Sequence, residues 1–269
     1  MSDAKTETNS GLKGRQTFAF HVPSRGVDLS TLAHDWYGCI AVDGSAELLY
    51  VTALGSKEVL QIQLQGGATS GVLKTPDVTD SDVSGIAVEQ KTGRVFVTDS
   101  ATKCCSVFSR AGASEGTMDE GPQFPADVVM AARGAGVLVA DAADPGCVFL
   151  YSLAGKAQTK ASVRVPLCMA VNPDSGHVVV GSLWDKQLVV SSSIGEHIRT
   201  LSPPELQGPA WRMTFLGSGR LAIVDNTGAL CLFSWPDMQK LTLPAAIPAA
   251  GVRAVGSHPS NGTLYVMLG

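Results

Sequence analysis

The residues of this chain that could take part in chemistry are mainly aromatic rings, arginines and aspartates, and they recur beside similar apolar runs. They are Trp36, Tyr37, Asp99, Phe124, Asp141, Trp184, Trp211, Arg212, Asp225 and Arg253. Tryptophan together with arginine is typical of the residues that anchor protein interfaces. We therefore predict a surface that binds a protein or peptide partner, and we predict no catalytic residue.

The three aspartates of this set also have a structural interpretation. Asp99, Asp141 and Asp225 each end an apolar run, and Ser182 has the equivalent position in another run. A carboxylate at a strand end accepts hydrogen bonds from backbone N–H groups of the next loop and fixes that connection. Their recurrence favours this role, and binding of a basic partner is the alternative. For the aromatic rings, the alternative is burial in a channel or over neighbouring sheets.

The apolar runs belong to a sequence repeat that occurs six times. Its clearest copy reads Gly85-Ile86-Ala87-Val88, a short polar turn, and then Val95-Phe96-Val97-Thr98-Asp99. The second run begins at Leu49, Val95, Val137, Val178, Leu221 and Leu264, so successive copies lie 41 to 46 residues apart. Such a period in a chain of short apolar runs indicates a repeat architecture built from small sheets.

Each repeat can be divided into four short strands, which we call A to D. The A and B strands are mainly apolar, whereas the D strands are weaker and more polar. The predicted D strands are 71–73, the neighbourhood of Met118, 161–165, 197–201 and 240–243. This gradient predicts that A lies innermost and that D meets water at the outer edge. The turns between A and B contain Gly93, Gly176 and Gly262, at which we expect positive φ.

The sixth repeat contains only its A and B strands. At the other end of the chain, 17–22 has the character of a C strand and 27–29 could follow as D. Pairing the two ends closes a ring and removes exposed sheet edges. We therefore predict an all-β fold, a six-bladed β-propeller of four-stranded antiparallel blades, in which the N-terminal strands complete the C-terminal blade. Residues 1–16 are predicted to be a disordered polar leader, and 17–269 one propeller domain.

The repeat unit resembles the NHL repeat, and more broadly the six-bladed propellers of the senescence-marker/gluconolactonase and TolB-like families. This resemblance extends over roughly residues 17–269 and implies that ligands are bound where the A strands begin, around the central channel. Metal-dependent lactonases of the gluconolactonase type supply Glu, Asn and Asp ligands from this level. The equivalent residues here are Gly38, Ser84, Ala126, Leu167, Trp211 and Arg253.

None of those six residues is a carboxylate or an amide, the oxygen ligands that hard divalent cations need. Asp127 lies one residue after the position held by Ala126 in this column of six equivalent residues. Only His34 of the five histidines is placed to reach the channel. We therefore predict no cofactor and no metal site. The main prediction is a non-catalytic binding or scaffold propeller. A divalent-metal-dependent hydrolase of the lactonase type with an atypical ligand set is the alternative, and a small-molecule substrate belongs to it.

Composition narrows the choice of partner and location. The net charge is −4, and no Lys/Arg cluster is longer than a pair, which argues against a nucleic-acid surface. An RNA-binding face would have to use Lys57, Lys103, Lys186, Arg212 and Arg253. No apolar run is long enough to span a membrane. Five of the six cysteines lie in strand-like runs, which suits buried thiols in a reduced, cytoplasmic setting.

Overall fold

A computed structural model describes residues 38–268, apart from 54–55, 75–81, 119–120, 193–194, 245–246 and 248. In these ranges the chain is all-β, with one short 3-10 helix at Ala132–Gly134. The all-β part of the predicted fold class is thereby confirmed. The same ranges contain no helix that is both long and apolar enough to cross a membrane.

Five antiparallel sheets of four strands follow one another along the chain, and each forms one blade of a β-propeller. Blade 1 contains β1 (Gly38–Asp43), β2 (Leu48–Ala53), β3 (Glu58–Gln63) and β4 (Thr69–Lys74). Blade 2 contains β5 (Val83–Val88), β6 (Val95–Asp99), β7 (Cys104–Phe108) and β8 (Ser114–Thr117). Blade 3 contains β9 (Pro125–Met130), β10 (Val137–Asp141), β11 (Cys147–Tyr151) and β12 (Ala157–Ser162). Blade 4 contains β13 (Pro166–Val171), β14 (Val178–Ser182), β15 (Leu188–Ser191) and β16 (His197–Leu201). Blade 5 contains β17 (Ala210–Phe215), β18 (Arg220–Asp225), β19 (Leu230–Ser234) and β20 (Lys240–Leu241).

A sixth sheet has only two strands in the described part of the chain, β21 (Val252–Ser257) and β22 (Leu264–Leu268). The prediction of six four-stranded blades is therefore not confirmed, because five are present and two strands occupy the remaining position. The predicted closing strands at 17–22 and 27–29, like the predicted leader at 1–16, lie outside the described residues.

The two-stranded sheet packs against blade 5 on one side and blade 1 on the other. Val255 lies in an apolar cluster with Val224 of blade 5, whereas Ala254 lies in a cluster with Ile40 of blade 1. At the turn after β21, His258 Nε2 lies 3.3 Å from Glu47 Oε1 of blade 1. The last sheet thus joins the first four-stranded blade and brings the six sheets round into a ring.

The apolar cores lie between neighbouring blades rather than inside any one of them. Phe96 and Cys105 of blade 2, for example, pack with Val137 and Tyr151 of blade 3. Successive side chains of a strand point to opposite faces, so each blade contributes to a core on each side. This arrangement explains why the A and B strands have continuous apolar runs: both of their faces are buried.

The predicted gradient of burial from A to D is confirmed. Every residue of β5 is buried and every residue of β8 is exposed. In blade 3 the predicted D strand at 161–165 is displaced, since the observed strand is Ala157–Ser162. This outer strand is largely exposed and has no apolar alternation that could fix its limits.

The A–B turns have the predicted conformation. Gly93, Gly176 and Gly262 have φ values of 75°, 74° and 68°. In each turn the glycine N–H donates to the carbonyl of the residue four positions earlier, with N···O distances of 2.8 to 3.0 Å. Glycine adopts positive φ without the steric cost that a Cβ imposes, so these turns close tightly.

Candidate functional site

The first strand of each blade starts, and the second ends, at the same end of the propeller, which we call the upper face. The pairing of Val83 with Asp99, and of Ala210 with Asp225, shows this arrangement. The A–B turns form the opposite, lower face. The structure therefore brings to the upper face all of the predicted partner-binding residues that it describes. Trp36 and Tyr37 lie outside the described residues.

The aspartates that end the second strands, Asp99, Asp141 and Asp225, are buried in this upper layer. The structural interpretation of these aspartates is confirmed. Asp99 Oδ1 accepts hydrogen bonds from the backbone N–H groups of Ala101 and Thr102 in the following turn, at 3.0 and 3.1 Å. It also accepts one from Asp82 N, which ties the B–C turn to the segment that enters strand A. A partner would have no exposed carboxylate to contact here, so the binding proposal below does not use these aspartates.

Two predicted aromatic rings are exposed on the upper face. The Phe124 side chain precedes β9 of blade 3 and is 48% exposed, and Trp184 follows β14 of blade 4 and is 66% exposed. Trp211 and Arg253 are only half-buried, at the starts of β17 and β21. Since blades 3 and 4 are neighbours, the two exposed rings belong to one sector of the face.

The column of residues that the sequence places around the channel has a common backbone feature. In five of the six sheets this residue lies in a β-bulge, where the pairing of the first two strands shifts by one residue. The bulged residues are Ser84, Ala126, Leu167, Trp211 and Arg253. A bulge inserts an unpaired residue and changes the direction of the following side chains. The residues that point towards the channel are consequently displaced by one position, to the column that contains Asp127 and Arg212.

Arg212 extends from blade 5 across the upper end of the channel. Its Nε donates to Gly38 O of blade 1 at 2.9 Å, and its Nη2 donates to Ser84 O of blade 2 at 3.2 Å. Nη1 donates to Trp211 O at 2.9 Å. The side chain is buried, so this predicted partner-binding residue is an internal brace between blades and not part of the exposed surface.

Asp127 is a second buried charged group at this level, and the sequence column missed it by one residue. Its Oδ1 accepts a hydrogen bond from Val128 N at 2.9 Å, and its Oδ2 accepts one from Met169 N of blade 4 at 2.7 Å. The adjacent Gly85 leaves room for this strand, since a Cβ there would lie 2.8 Å from the Asp127 Cα. Sequence reasoning missed Asp127 because the displacement comes from a β-bulge, which only the structure shows.

The inner strands of all six sheets line a cavity of about 230 Å³ in the channel. Asp127, Arg212 and Cys39 contribute to its upper part, and Gln90 and Ser257 to its lower part. A second cavity of about 240 Å³ shares much of this lining and also includes Pro173, Gly217 and His258 of the lower turns. The channel space therefore extends from the buried charges towards the lower face.

Thiols contribute little reactivity to this channel. Burial raises the pKa of the Cys39 and Cys168 thiols, and a protonated thiol is a poor nucleophile and a poor metal ligand. All six cysteines are free, and five are buried as predicted, with Cys104 half-buried. In the ranges that the structure describes, no three His, Cys, Asp or Glu side chains are grouped so that they could hold a metal ion.

We expect Asp127 to make the folded protein relatively more stable as the pH falls from 7 to about 4. Burial raises the pKa of this carboxyl from 3.8 to about 6, although Arg212 and two backbone N–H groups act in the opposite direction. In this window the folded state binds the proton more tightly than the unfolded state, so protonation favours folding by about 2 kcal/mol.

Urea unfolding of the wild type and of Asp127→Asn at both ends of this pH range measures the effect. The difference in unfolding free energy between the two proteins should move by about 2 kcal/mol in favour of the wild type at the lower pH. A difference that does not change with pH would show that Asp127 titrates with an ordinary pKa.

Comparison with known proteins supports the fold and gives no family. No protein-family model matches this chain, and no curated protein matches its sequence. Among solved structures, the "Streptogramin B lyase structure" is similar with a TM-score of 0.65 and 12% identity, covering 86% of this chain and 75% of that one. A structure of Kuenenia stuttgartiensis hydrazine synthase has a TM-score of 0.64 and 10% identity, covering 91% and 76%. At such low identity the likeness shows the propeller fold alone.

Proposed function

We propose that this chain is a non-catalytic binding module whose upper face holds a protein or peptide partner through apolar side chains. The proposal rests on one observation: Trp184 and Phe124 are large apolar side chains that remain exposed on neighbouring blades of the same face. Exposed tryptophan and phenylalanine carry much of the binding energy at protein interfaces when a partner covers them.

The rest of that face supports a rigid binding surface. Asp99, Asp141 and Asp225 fix its loops through backbone hydrogen bonds, and Arg212 braces the blades beneath it. A preorganised surface loses little conformational entropy when it binds. The two rings would therefore act as anchors on a firm support, with the half-buried Trp211 and Arg253 nearer the channel.

Alanine replacement of both Phe124 and Trp184 is the direct test. Partners captured from a lysate by the wild type should be lost or bound at least about tenfold more weakly by the double variant, as expected when interface anchors are truncated. Affinity is then measured on the purified partner by calorimetry, so that direct contact with the upper face is established.

A matched control is available on the outer strands. Val72 of β4 and Ile198 of β16 are also large, apolar and exposed, at 41% and 45%, but they lie on the outer edges of blades 1 and 4. The Val72→Ala/Ile198→Ala protein should keep its partners. Equal loss in both double variants, or retention in both, would contradict binding through the upper face.

The alternative function is a divalent-metal-dependent hydrolase of the lactonase type with an atypical ligand set. No grouping of ligand side chains in the described ranges favours it. Elemental analysis of the purified protein, together with lactone and phosphotriester assays, separates the two functions. A stoichiometric metal with hydrolytic turnover would replace our proposal.

We further propose a finer description of the module: a six-bladed propeller of NHL-like repeats that works in the cytoplasm. The two-stranded sheet of β21 and β22 supports six blades, because it occupies a position between blade 5 and blade 1 with apolar cores on both sides. Segments 17–22 and 27–29 would complete it. Free cysteines in buried strands are consistent with a reducing compartment.

A further inference from the structure

Asp127 and Arg212 are opposite charges that line one cavity without being paired. Both are more than nine-tenths buried, with exposed fractions of 8% and 6%. Their charges interact, yet the ion pairs within 4.0 Å in the described part of the chain join other residues. Each charge has thus left water without forming the direct pair that usually compensates for burial.

Both groups retain hydrogen-bonding capacity towards the cavity. Three donors of the Arg212 guanidinium bind carbonyl oxygens and the guanidinium also contacts the Cys39 side chain, whereas a guanidinium has about five N–H groups in all. Each oxygen of Asp127 accepts one backbone N–H, and a carboxylate oxygen can accept about two hydrogen bonds. A ligand between them could therefore donate to Asp127 and accept from Arg212.

The rest of the cavity limits the size and character of such a ligand. The volume of about 230 Å³ is smaller than the roughly 300–1,000 Å³ of pockets for drug-sized molecules. The wall combines polar and apolar atoms in similar amounts, and Val128, Met169 and Met213 are among its apolar lining residues. A small molecule with a short aliphatic group would fit this lining, and the lower cavity offers it a path.

We propose that this cavity binds a small zwitterion, an α-amino acid with an aliphatic side chain, whose ammonium contacts Asp127 and whose carboxylate contacts Arg212. A simple anion would be repelled by Asp127, and a simple cation by Arg212. A zwitterion satisfies both charges at once and leaves its aliphatic group against the apolar part of the lining. This proposal does not depend on the upper-face function, because it uses different residues.

The probe is L-valine, compared with two analogues that each lack one charge. Calorimetry on the full chain should give a dissociation constant of about 1 mM or below for L-valine. Isobutylamine, which lacks the carboxylate, and isovalerate, which lacks the ammonium, should each bind at least about tenfold more weakly, because one buried charge stays unmatched.

Asp127→Asn keeps the shape of the side chain and removes its charge, and should weaken L-valine binding about 10- to 100-fold. Asp174→Asn is the matched control, since it makes the same change in net charge at an exposed turn of the lower face. Circular dichroism confirms that both variants are folded. No binding of L-valine at about 10 mM, equal binding of the single-charge analogues, or equal affinity in Asp127→Asn and the wild type would each overturn the proposal.

Discussion

Replacing Asp225 with alanine is expected to lower the free energy of unfolding by about 4 kcal/mol. This carboxylate has no exposed surface and accepts five hydrogen bonds. Two come from the backbone before β17, from Gln207 N at 2.9 Å and Gly208 N at 3.2 Å. Three come from the turn after β18, from Thr227 N, Thr227 Oγ1 and Ala229 N, at 2.6 to 3.1 Å.

The large effect follows from the donors that the substitution leaves behind. Without the carboxylate, four backbone N–H groups lose an acceptor, one in a buried hydrogen bond and three in partly buried ones. An uncompensated buried donor costs about 1–3 kcal/mol, and a partly buried one costs less. Water entering the space left by the side chain would recover part of that loss. Because one carboxylate joins the entry to strand A with the exit from strand B, we also expect the upper loops of blade 5 to become less ordered.

Urea unfolding followed by tryptophan fluorescence measures the change in stability. Asp237→Ala is the control, since Asp237 is an exposed aspartate in the same blade and its loss should alter stability by less than about 0.5 kcal/mol. Hydrogen exchange of the Thr227 and Ala229 amides provides a local measurement that should change only in the Asp225 variant. An Asp225→Ala protein as stable as Asp237→Ala would show that the aspartate at this strand end has no structural role.

The sequence predicts the strands of this fold wherever burial constrains both faces. All six A strands and B strands are found where the apolar runs indicate, because the repeated cores between blades require those residues. The outer strands are less predictable. The strand Ala157–Ser162 lies several residues before its expected position, since exposed residues leave no pattern to define its ends.

The candidate site shows a different limit of sequence reasoning. Ser84, Ala126 and Trp211 are equivalent in the repeat, but each is the extra residue of a β-bulge. A bulge changes which side chains point towards the channel and leaves no compositional mark of its own. For this reason the sequence leaves Asp127 one residue outside the channel-facing positions, and it predicts Arg212 at the surface although this residue is buried.

The sequence predicts on which face of the propeller Phe124 and Trp184 lie. Only the structure shows that their side chains are exposed. The spacing of Phe124 and Trp184 relative to β9 and β14 fixes the upper face. Whether a loop ring covers the end of a blade or projects into solvent depends on loop conformation, which strand periodicity does not encode. Trp211, by comparison, shares the same face and is half-buried.

Deleting residues 1–29 is expected to have the largest effect of all, a loss of about 5 kcal/mol or more of unfolding free energy. In blades 1 to 5 the second strand pairs on both sides, as β18 does with β17 and β19. In the described residues β22 pairs only with β21, and Leu268 at its end is 48% exposed. Phe18 and Phe20 alternate along the segment that we expect to pair there. Burying two such rings and restoring the edge hydrogen bonds accounts for a stabilisation of this size.

Deletion of residues 1–16 alone is the control, because we predict that this leader contributes no strand and that its removal leaves the melting temperature unchanged. Circular dichroism measures unfolding, and size-exclusion chromatography measures association, which an unpaired β22 edge should promote in the longer deletion. If that deletion prevents expression, Phe20→Ala in the full chain tests the same contact and should cost about 3 kcal/mol. If the 1–29 deletion is monomeric and has the same melting temperature as the 1–16 deletion, β22 needs no added strand. The two-stranded sheet would then be held in the ring by its apolar contacts with blades 1 and 5 alone.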